Sequence, residues 1–347
     1  MRLALVLAGL LSLSAPIIAL AAAPSPSAKR VEIPITQTRF SGGVIRYSIK
    51  IGIDGAAPID VMLDTGSVGL HLLPGAQPHA PPRGRASRAT YGSGVVLTGE
   101  VASTDLSLDG RVALRAEVDW TRQIGCVEDR PHCAAESVPL DQYSIGGGSR
   151  GGFKAILGVG LRRGAAENPL TRTATGAWII VLPALDDPAL GKLILNASQA
   201  DRARFALLVK LQPQTGREAS DGIFWWDNTV PTCLSRPDDS HPICGPTMLD
   251  TGNPSVRVVA DGGSNFTPWP AGTRATLAYG ALDKPALKQT FTVDHDPGTR
   301  VEFGKRLASS PWSGLNAGFL PFLGMAVLYD AKDGYIGLAS RADFAAP

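Results

Sequence analysis

The chain has 347 residues, enough for about two domains. Hydrophobic residues make up 44% and charged residues 18%, which excludes an intrinsically disordered chain. Lys+Arg 33 almost balances Asp+Glu 31, leaving a net charge of +2, so a nucleic-acid partner held by bulk charge is not expected.

Arg2 precedes an apolar stretch from Leu3 to Ala23. The stretch ends in Ala19-Leu20-Ala21 and Ala21-Ala22-Ala23, both A-x-A cleavage patterns. Residues 1–23 are therefore read as a secretory signal peptide, with an uncleaved anchor as the alternative. The mature chain is expected to be exported, periplasmic or extracellular, without stable membrane association, since no later run reaches about 18 apolar residues. Export permits disulfides. Cys126 with Cys133, and Cys233 with Cys244, is the simplest pairing. No C-x-x-C or H-E-x-x-H occurs, and neither a metal nor an organic cofactor is expected.

Residues 24–30 read as a short flexible lead. Val44, Ile45, Tyr47, Ile49, Ile51 and Ile53 then alternate, Asp54-Gly55 turns, and 58–63 is a second apolar run. That is a hairpin signal. A second hairpin is expected over 89–108, turning at Gly92-Ser93-Gly94, with 111–120 alternating after it. Short candidate strands follow at 192–195, 205–211, 222–226, 255–260, 288–293 and 300–303. Met325–Tyr329 and Tyr335–Leu338 bracket Lys332-Asp333-Gly334, a further hairpin. Helical patterning is confined to 167–174 and 197–203. With Gly 39 and Pro 27 as punctuation, the pattern predicts an all-β protein.

Met62-Leu63-Asp64-Thr65-Gly66-Ser67 recurs as Met248-Leu249-Asp250-Thr251-Gly252-Asn253, 186 positions later. An apolar echo follows each copy: Ile156-Leu157-Gly158 after the first and Phe322-Leu323-Gly324 after the second. Two halves of similar order imply a duplicated unit packed against its copy. Asp64 and Asp250 would then meet at strand ends. Two close carboxylates cannot both ionise easily and share one proton, giving one acid and one base. Such a pair can activate water against a peptide carbonyl. Thr65 and Thr251 can hydrogen-bond across the axis. A lone Asp-Thr-Gly would be read as a turn; the repeat argues against that.

These residues resemble the two-lobed, pepsin-like aspartic proteases over nearly all of the mature chain. The resemblance rests on both Asp-Thr-Gly loops, the apolar-Gly segments, the last hairpin, and Tyr91-Gly92-Ser93-Gly94, which is similar to that family's flap with Tyr91 as the flap tyrosine. It implies a bilobal all-β fold, with two related β-barrel lobes around a central cleft. Residues 24–185 would carry Asp64 and the flap, and 186–347 would carry Asp250. Residues 24–40 would supply an interlobe strand. It implies an aspartic endopeptidase, monomeric and cofactor-free, that takes a polypeptide substrate under Tyr91, Gly92 and Ser93. The Cys233–Cys244 loop also has a family counterpart. Ser67 would tune Asp64. Asn253 stands where the family has Ser or Thr, and is expected to donate to Asp250. His71 stands where the family has a tryptophan, and is expected to bond Tyr91; the bland alternative is a partly exposed strand histidine. Only a short segment separates the signal from the first strands, so zymogen-type control is not expected. The alternative function is a catalytically inactive protein of the same fold that binds peptide or glycan in the cleft.

Other patterns read as structure. Gly147-Gly148-Ser149-Arg150-Gly151 satisfies G-x-S-x-G but lacks the strand and helix of a nucleophile elbow. Asp294-His295-Asp296 reads as a turn cap. Trp225-Trp226 reads as one core-facing and one exposed residue. Asn196 and Asn265 begin N-glycosylation sequons.

Overall fold

The computed structural model describes residues 28–77, 83–147, 151–187, 189, 191–214, 224–237, 239–261, 267–306 and 312–344. The apolar segment 1–23, expected to be a signal peptide, lies outside the described residues, as do Ser149 and Asn265. Among the described residues, no helix is long and apolar enough to cross a membrane.

The chain is almost entirely β. The first eleven strands are β1 (Val31–Arg39), β2 (Ile45–Ile53), β3 (Ile59–Asp64), β4 (Val68–Leu72), β5 (Arg85–Thr90), β6 (Val95–Leu108), β7 (Val112–Cys126), β8 (Ala155–Val159), β9 (Ala177–Val181), β10 (Gly191–Leu195) and β11 (Leu207–Lys210). The rest are β12 (Val230–Ser235), β13 (Ile243–Met248), β14 (Val256–Ala260), β15 (Arg274–Gly280), β16 (Pro285–Thr292), β17 (Val301–Lys305), β18 (Gly314–Asn316), β19 (Met325–Asp330) and β20 (Tyr335–Ser340). Among the described residues, helix is limited to α1 (Gln199–Arg202), α2 (Leu320–Gly324) and short 3-10 turns, including Pro169–Arg172. Ser198 caps α1 in a reciprocal capping box with Asp201.

The predicted hairpins form: β2 pairs with β3, β5 with β6, and β19 with β20, all antiparallel. β2 shows why. Ile45, Tyr47, Ile49, Ile51 and Ile53 share one face and are at most 1% exposed. Each such side chain contributes about 1.5–3 kcal/mol on burial, and β-branched residues suit the pleat. Of the expected strand 222–226, residues 222–223 lie outside the described residues, and Trp225 forms an isolated bridge to Pro213. Trp225 is 7% and Trp226 44% exposed, one core-facing and one outward. Asp294 takes a left-handed turn at φ 56 and accepts from Arg300 Nε at 3.1 Å. Asn196 Nδ2 is engaged with Lys29 O at 2.9 Å.

The strands form a 13-stranded and a 7-stranded sheet. In the first the order is β11-β20-β19-β9-β10-β1-β2-β3-β8-β4-β7-β6-β5. The N-terminal strand β1 pairs with β10 through Val31–Ile35 and with β2 through Thr36–Arg39. The C-terminal hairpin β19–β20 pairs through β19 with β9. Trp178 and Tyr329 stack face to face there, 6.0 Å apart. The expected boundary at 185/186 thus falls between β9 and β10, neighbouring strands of one sheet.

The repeated motif sits in a repeated topology. β8 lies between β3 and β4, parallel to the first and antiparallel to the second, and β4 runs parallel to β7. β18 lies between β13 and β14 in the same senses, and β14 runs parallel to β17. In each half the Asp-Thr-Gly loop spans over an inserted strand. The pairings correct one expectation. Gly158 lies opposite Asp64. The counterpart of Gly158 is Gly318, whose carbonyl accepts from Asp250 N at 3.1 Å. Phe322-Leu323-Gly324 instead belongs to α2. That segment is apolar because α2 buries Leu320, Pro321 and Phe322.

Both expected disulfides form, Cys126–Cys133 and Cys233–Cys244. The second joins residues directly opposite in β12 and β13.

Candidate active site

The two Asp-Thr-Gly loops meet. Thr65 Oγ1 donates to Leu249 O at 2.7 Å and accepts from Thr251 N at 2.9 Å. Thr251 Oγ1 donates to Leu63 O at 2.8 Å and accepts from Thr65 N at 3.1 Å. Each hydroxyl therefore satisfies one buried donor and one buried acceptor of the opposite loop. Both threonines are at most 1% exposed. Tyr329, from the shared sheet, reaches Leu249 O at 3.5 Å beneath them.

This lock sets Asp64 and Asp250 against each other. A Cβ on Gly66 would stand 2.3 Å from Asp250 Cγ, and one on Gly252 2.5 Å from Asp64 Oδ1. Only glycine lets either carboxyl lie against the opposite loop. Each carboxylate has two donors. Asp64 Oδ1 accepts from Gly66 N at 2.8 Å and Oδ2 from Ser67 Oγ at 2.6 Å. Asp250 Oδ1 accepts from Gly252 N at 2.9 Å and Oδ2 from Asn316 Nδ2 at 2.6 Å. Burial first, and then the charge of Asp64, raises the Asp250 pKa above the ordinary carboxylate range.

Asn253 does not serve Asp250. Its Nδ2 donates to Ser255 O at 2.8 Å and its Oδ1 accepts from Ser255 Oγ at 3.1 Å, closing a local turn. Asn316 takes the expected role. It was not legible because it lies 66 positions from Asp250 in sequence, in a three-residue strand. The only signal was Ala317-Gly318 behind it, an apolar-Gly pair.

His71 does not bond Tyr91 either, nor is it partly exposed. It is 1% exposed, with Nδ1 2.9 Å from Asp119 Oδ2 and Nε2 3.0 Å from Val68 O. The Val68 carbonyl only accepts, so Nε2 carries a hydrogen. Ser87 Oγ donates to the other Asp119 oxygen at 2.7 Å. His71 meets Tyr91 only as a ring edge, with centroids 6.2 Å apart. The Tyr91 hydroxyl is buried and makes no hydrogen bond among the described residues. Burial, and beyond it the charges of Asp64 and Asp119, raises the Tyr91 pKa and keeps the phenol protonated.

The hairpin carrying Tyr91 is braced at its turn. Gly94 N donates to Tyr91 O at 2.9 Å, and Val127 N donates to Gly94 O at 2.8 Å. Arg130 Nη1 donates to Gly92 O at 2.8 Å. The Arg130 stem runs so close that a Cβ on Gly94 would meet its Cδ at 2.6 Å. Val127 and Arg130 lie inside the Cys126–Cys133 loop, so that disulfide holds the brace.

A second support was not foreseen. Arg162 donates to Gly66 O at 2.8 Å through Nη2 and forms an ion pair with buried Asp227 through Nη1. Asp227 Oδ2 also accepts from Leu161 N at 2.5 Å. Burial outweighs the Arg162 charge and raises the Asp227 pKa. No sequence signal joins these positions; only the fold brings them together.

A cleft of about 1090 Å³ opens over the dyad. Asp64, Asp250, Asn316, Tyr91, Gly92, Ser93 and Arg46 line it. Among the described residues, no group of three or more His, Cys, Asp or Glu is placed to hold a metal ion. Neither a protein-family model nor a curated protein matches this chain.

Proposed function

We propose that the protein is an aspartic endopeptidase of the two-lobed, pepsin-like type, exported and acting as a monomer on polypeptides. One observation carries the reading. Two carboxyls from repeated loops, fixed by reciprocal threonine bonds, face each other on the floor of a cleft. The proposed lobes are 24–185 and 186–347. They are related by the repeated strand topology and joined through the sheet that β1, β9, β10, β19 and β20 share.

In this mechanism the pair holds one proton, which the raised pKa of Asp250 favours. The ionised carboxylate takes a proton from water as the oxygen attacks the peptide carbonyl. The protonated carboxyl gives its proton to the carbonyl oxygen, and a gem-diol forms. One diol hydroxyl then returns its proton to the dyad, the amide nitrogen is protonated, and the C–N bond breaks. Tyr91, Gly92 and Ser93 cover the substrate. Ser67 and Asn316 hold the outer carboxylate oxygens, and Thr65, Gly66, Thr251 and Gly252 fix the loops.

The test is cleavage of a denatured protein between about pH 3 and 7, with Asp64→Asn and Asp250→Asn as controls. Cleavage that persists in both variants would falsify the mechanism. The inactive-binder alternative rests on Asn253 and His71 as departures from the family pattern; Asn316 supplies a donor to Asp250 in place of Asn253, and His71 bonds Asp119 and Val68 rather than Tyr91. A transition-state peptide mimic separates the two readings: tight binding, lost in Asp64→Asn, supports the enzyme.

A further inference from the structure

The cleft concentrates positive charge that the chain as a whole does not carry. Apart from the dyad, every Asp, Glu, Lys or Arg lining it is an arginine: Arg46, Arg88, Arg162, Arg163 and Arg257. The net charge of the whole chain is only +2. Arg162 is neutralised by Asp227, and Arg163 lies 4.7 Å over the Phe224 ring.

Arg46 differs. It comes from β2, set between the buried Ile45 and Tyr47, and projects into the cleft. It forms no ion pair among the described residues. Its Nη1 donates to the adjacent Ile45 O at 2.8 Å, and its Nε is buried with no hydrogen-bond partner. The stem is held by close packing. A Cβ on Gly146 would stand 2.7 Å from Met62 Sδ and 3.3 Å from Arg46 Cγ. The guanidinium lies within electrostatic reach of both Asp250 and Asp64 without pairing to either. Burial lowers its pKa, and the two aspartates oppose that shift. A partly buried arginine with no carboxylate partner is costly to maintain, and its planar donor set matches a carboxylate. Kept beside a dyad at the floor of a cleft, it provides a place for an anion arriving from outside.

We propose that Arg46 is a specificity-determining residue that binds a carboxylate of the substrate, so that the preferred polypeptides carry an acidic group close to the cleaved bond. The inference rests on the peptidase reading for its substrate class. The carboxylate has two possible sources, a Glu or Asp side chain or a chain terminus.

The experiment uses the full mature chain at about pH 6, above the ordinary glutamate pKa of about 4.3. Peptides differing only as Glu or Gln at each position around the cleaved bond are compared, each with a free or an amidated C-terminus. Turnover is read on the wild type, and binding by calorimetry on Asp64→Asn. At one position Glu is expected to exceed Gln by about tenfold or more in kcat/KM and in affinity, as for a charge-assisted hydrogen bond. Arg46→Met should abolish the preference, and Arg46→Lys should keep part of it. A preference that follows the free terminus instead, and is lost in Arg46→Met, assigns the same site to a terminal carboxylate. Cleavage indifferent to both carboxylates, or a preference that survives Arg46→Met and Arg46→Lys unchanged, overturns the proposal. If no peptide is cleaved, the peptidase reading fails by itself. The calorimetric Glu/Gln comparison then still decides for or against Arg46.

Discussion

The Asn316 amide donates to Asp250 Oδ2 at 2.6 Å, and the Ser67 hydroxyl donates to Asp64 Oδ2 at the same 2.6 Å. The two carboxylates are thus equally served, by different chemical groups from different parts of the chain. Asn316 favours the charged form of Asp250 and pulls its pKa down. Asn316→Ala should therefore raise that pKa further and move the alkaline limb of the kcat/KM profile to higher pH. kcat should fall by about tenfold or more, since a hydrogen bond to a charged group contributes about 1.5–3 kcal/mol. Asn253→Ala should leave the limb in place, because its side chain bonds Ser255.

Thr65 and Thr251 each satisfy two buried backbone groups. Thr65→Ala should destabilise by about 2–4 kcal/mol in urea unfolding, because the buried Leu249 carbonyl and Thr251 N–H are both left unpaired. Thr65→Ser keeps the hydroxyl and should recover most of the loss. The Thr65→Ala/Thr251→Ala double variant should lose less than the sum of the single losses, since the bonds form one network. Strict additivity would show that the two loops are not coupled.

Stability should fall between acid and neutral pH through Asp250. Its pKa is raised in the folded state, so the fold keeps a proton that the unfolded chain releases near about pH 3.9. That contribution is full below the unfolded pKa and is lost as pH rises through the folded one. Asp227 is raised as well and adds the same sign. Asp250→Asn removes one group and isolates its share. Relative to wild type, the variant should gain stability from pH 4 to pH 7, by about 1.4 kcal/mol per unit of displacement. A constant difference across that range would show that Asp250 is not perturbed.

The Cys126–Cys133 disulfide should control the hairpin over the cleft. The Cys126→Ser/Cys133→Ser variant should raise KM for peptides several-fold while changing kcat less. Amide exchange at Tyr91 and Gly94, whose N–H groups are hydrogen-bonded within the hairpin, should be faster in the variant than in the oxidised protein. Global stability should drop by about 2–3 kcal/mol, the contribution of a short closed loop. Unchanged exchange at Gly94 would mean that the Val127 and Arg130 contacts hold the turn without the bridge.

The sequence made the hairpins plain, because Asp54-Gly55 and Asp333-Gly334 turn between alternating runs. It did not mark β9 as a strand, and it showed β8 only as the apolar Ile156-Leu157-Gly158 echo, because the residues of both are buried on both faces and so lack alternation. The dyad and its threonines were legible because the motif is repeated word for word. Asn316, Arg162 and Asp227 were not, because each acts through a contact that only the folded chain creates. Phe322-Leu323-Gly324 misled for the converse reason: a local likeness carries no register, and register decides which glycine lies opposite each aspartate. His71 shows the same limit, since its partners Asp119 and Ser87 come from strands far along the chain.

The shared sheet also has a temporal consequence. β1 waits for β10, and β9 waits for β19, which lies near the end of the chain. Pairings this distant in sequence raise the contact order and slow folding. Until Met325–Asp330 is available, β9 exposes an unpaired edge of Trp178, Ile179 and Ile180. A chain truncated before residue 325 should collapse but aggregate through that edge. The protein therefore commits to its fold late, when its last hairpin arrives.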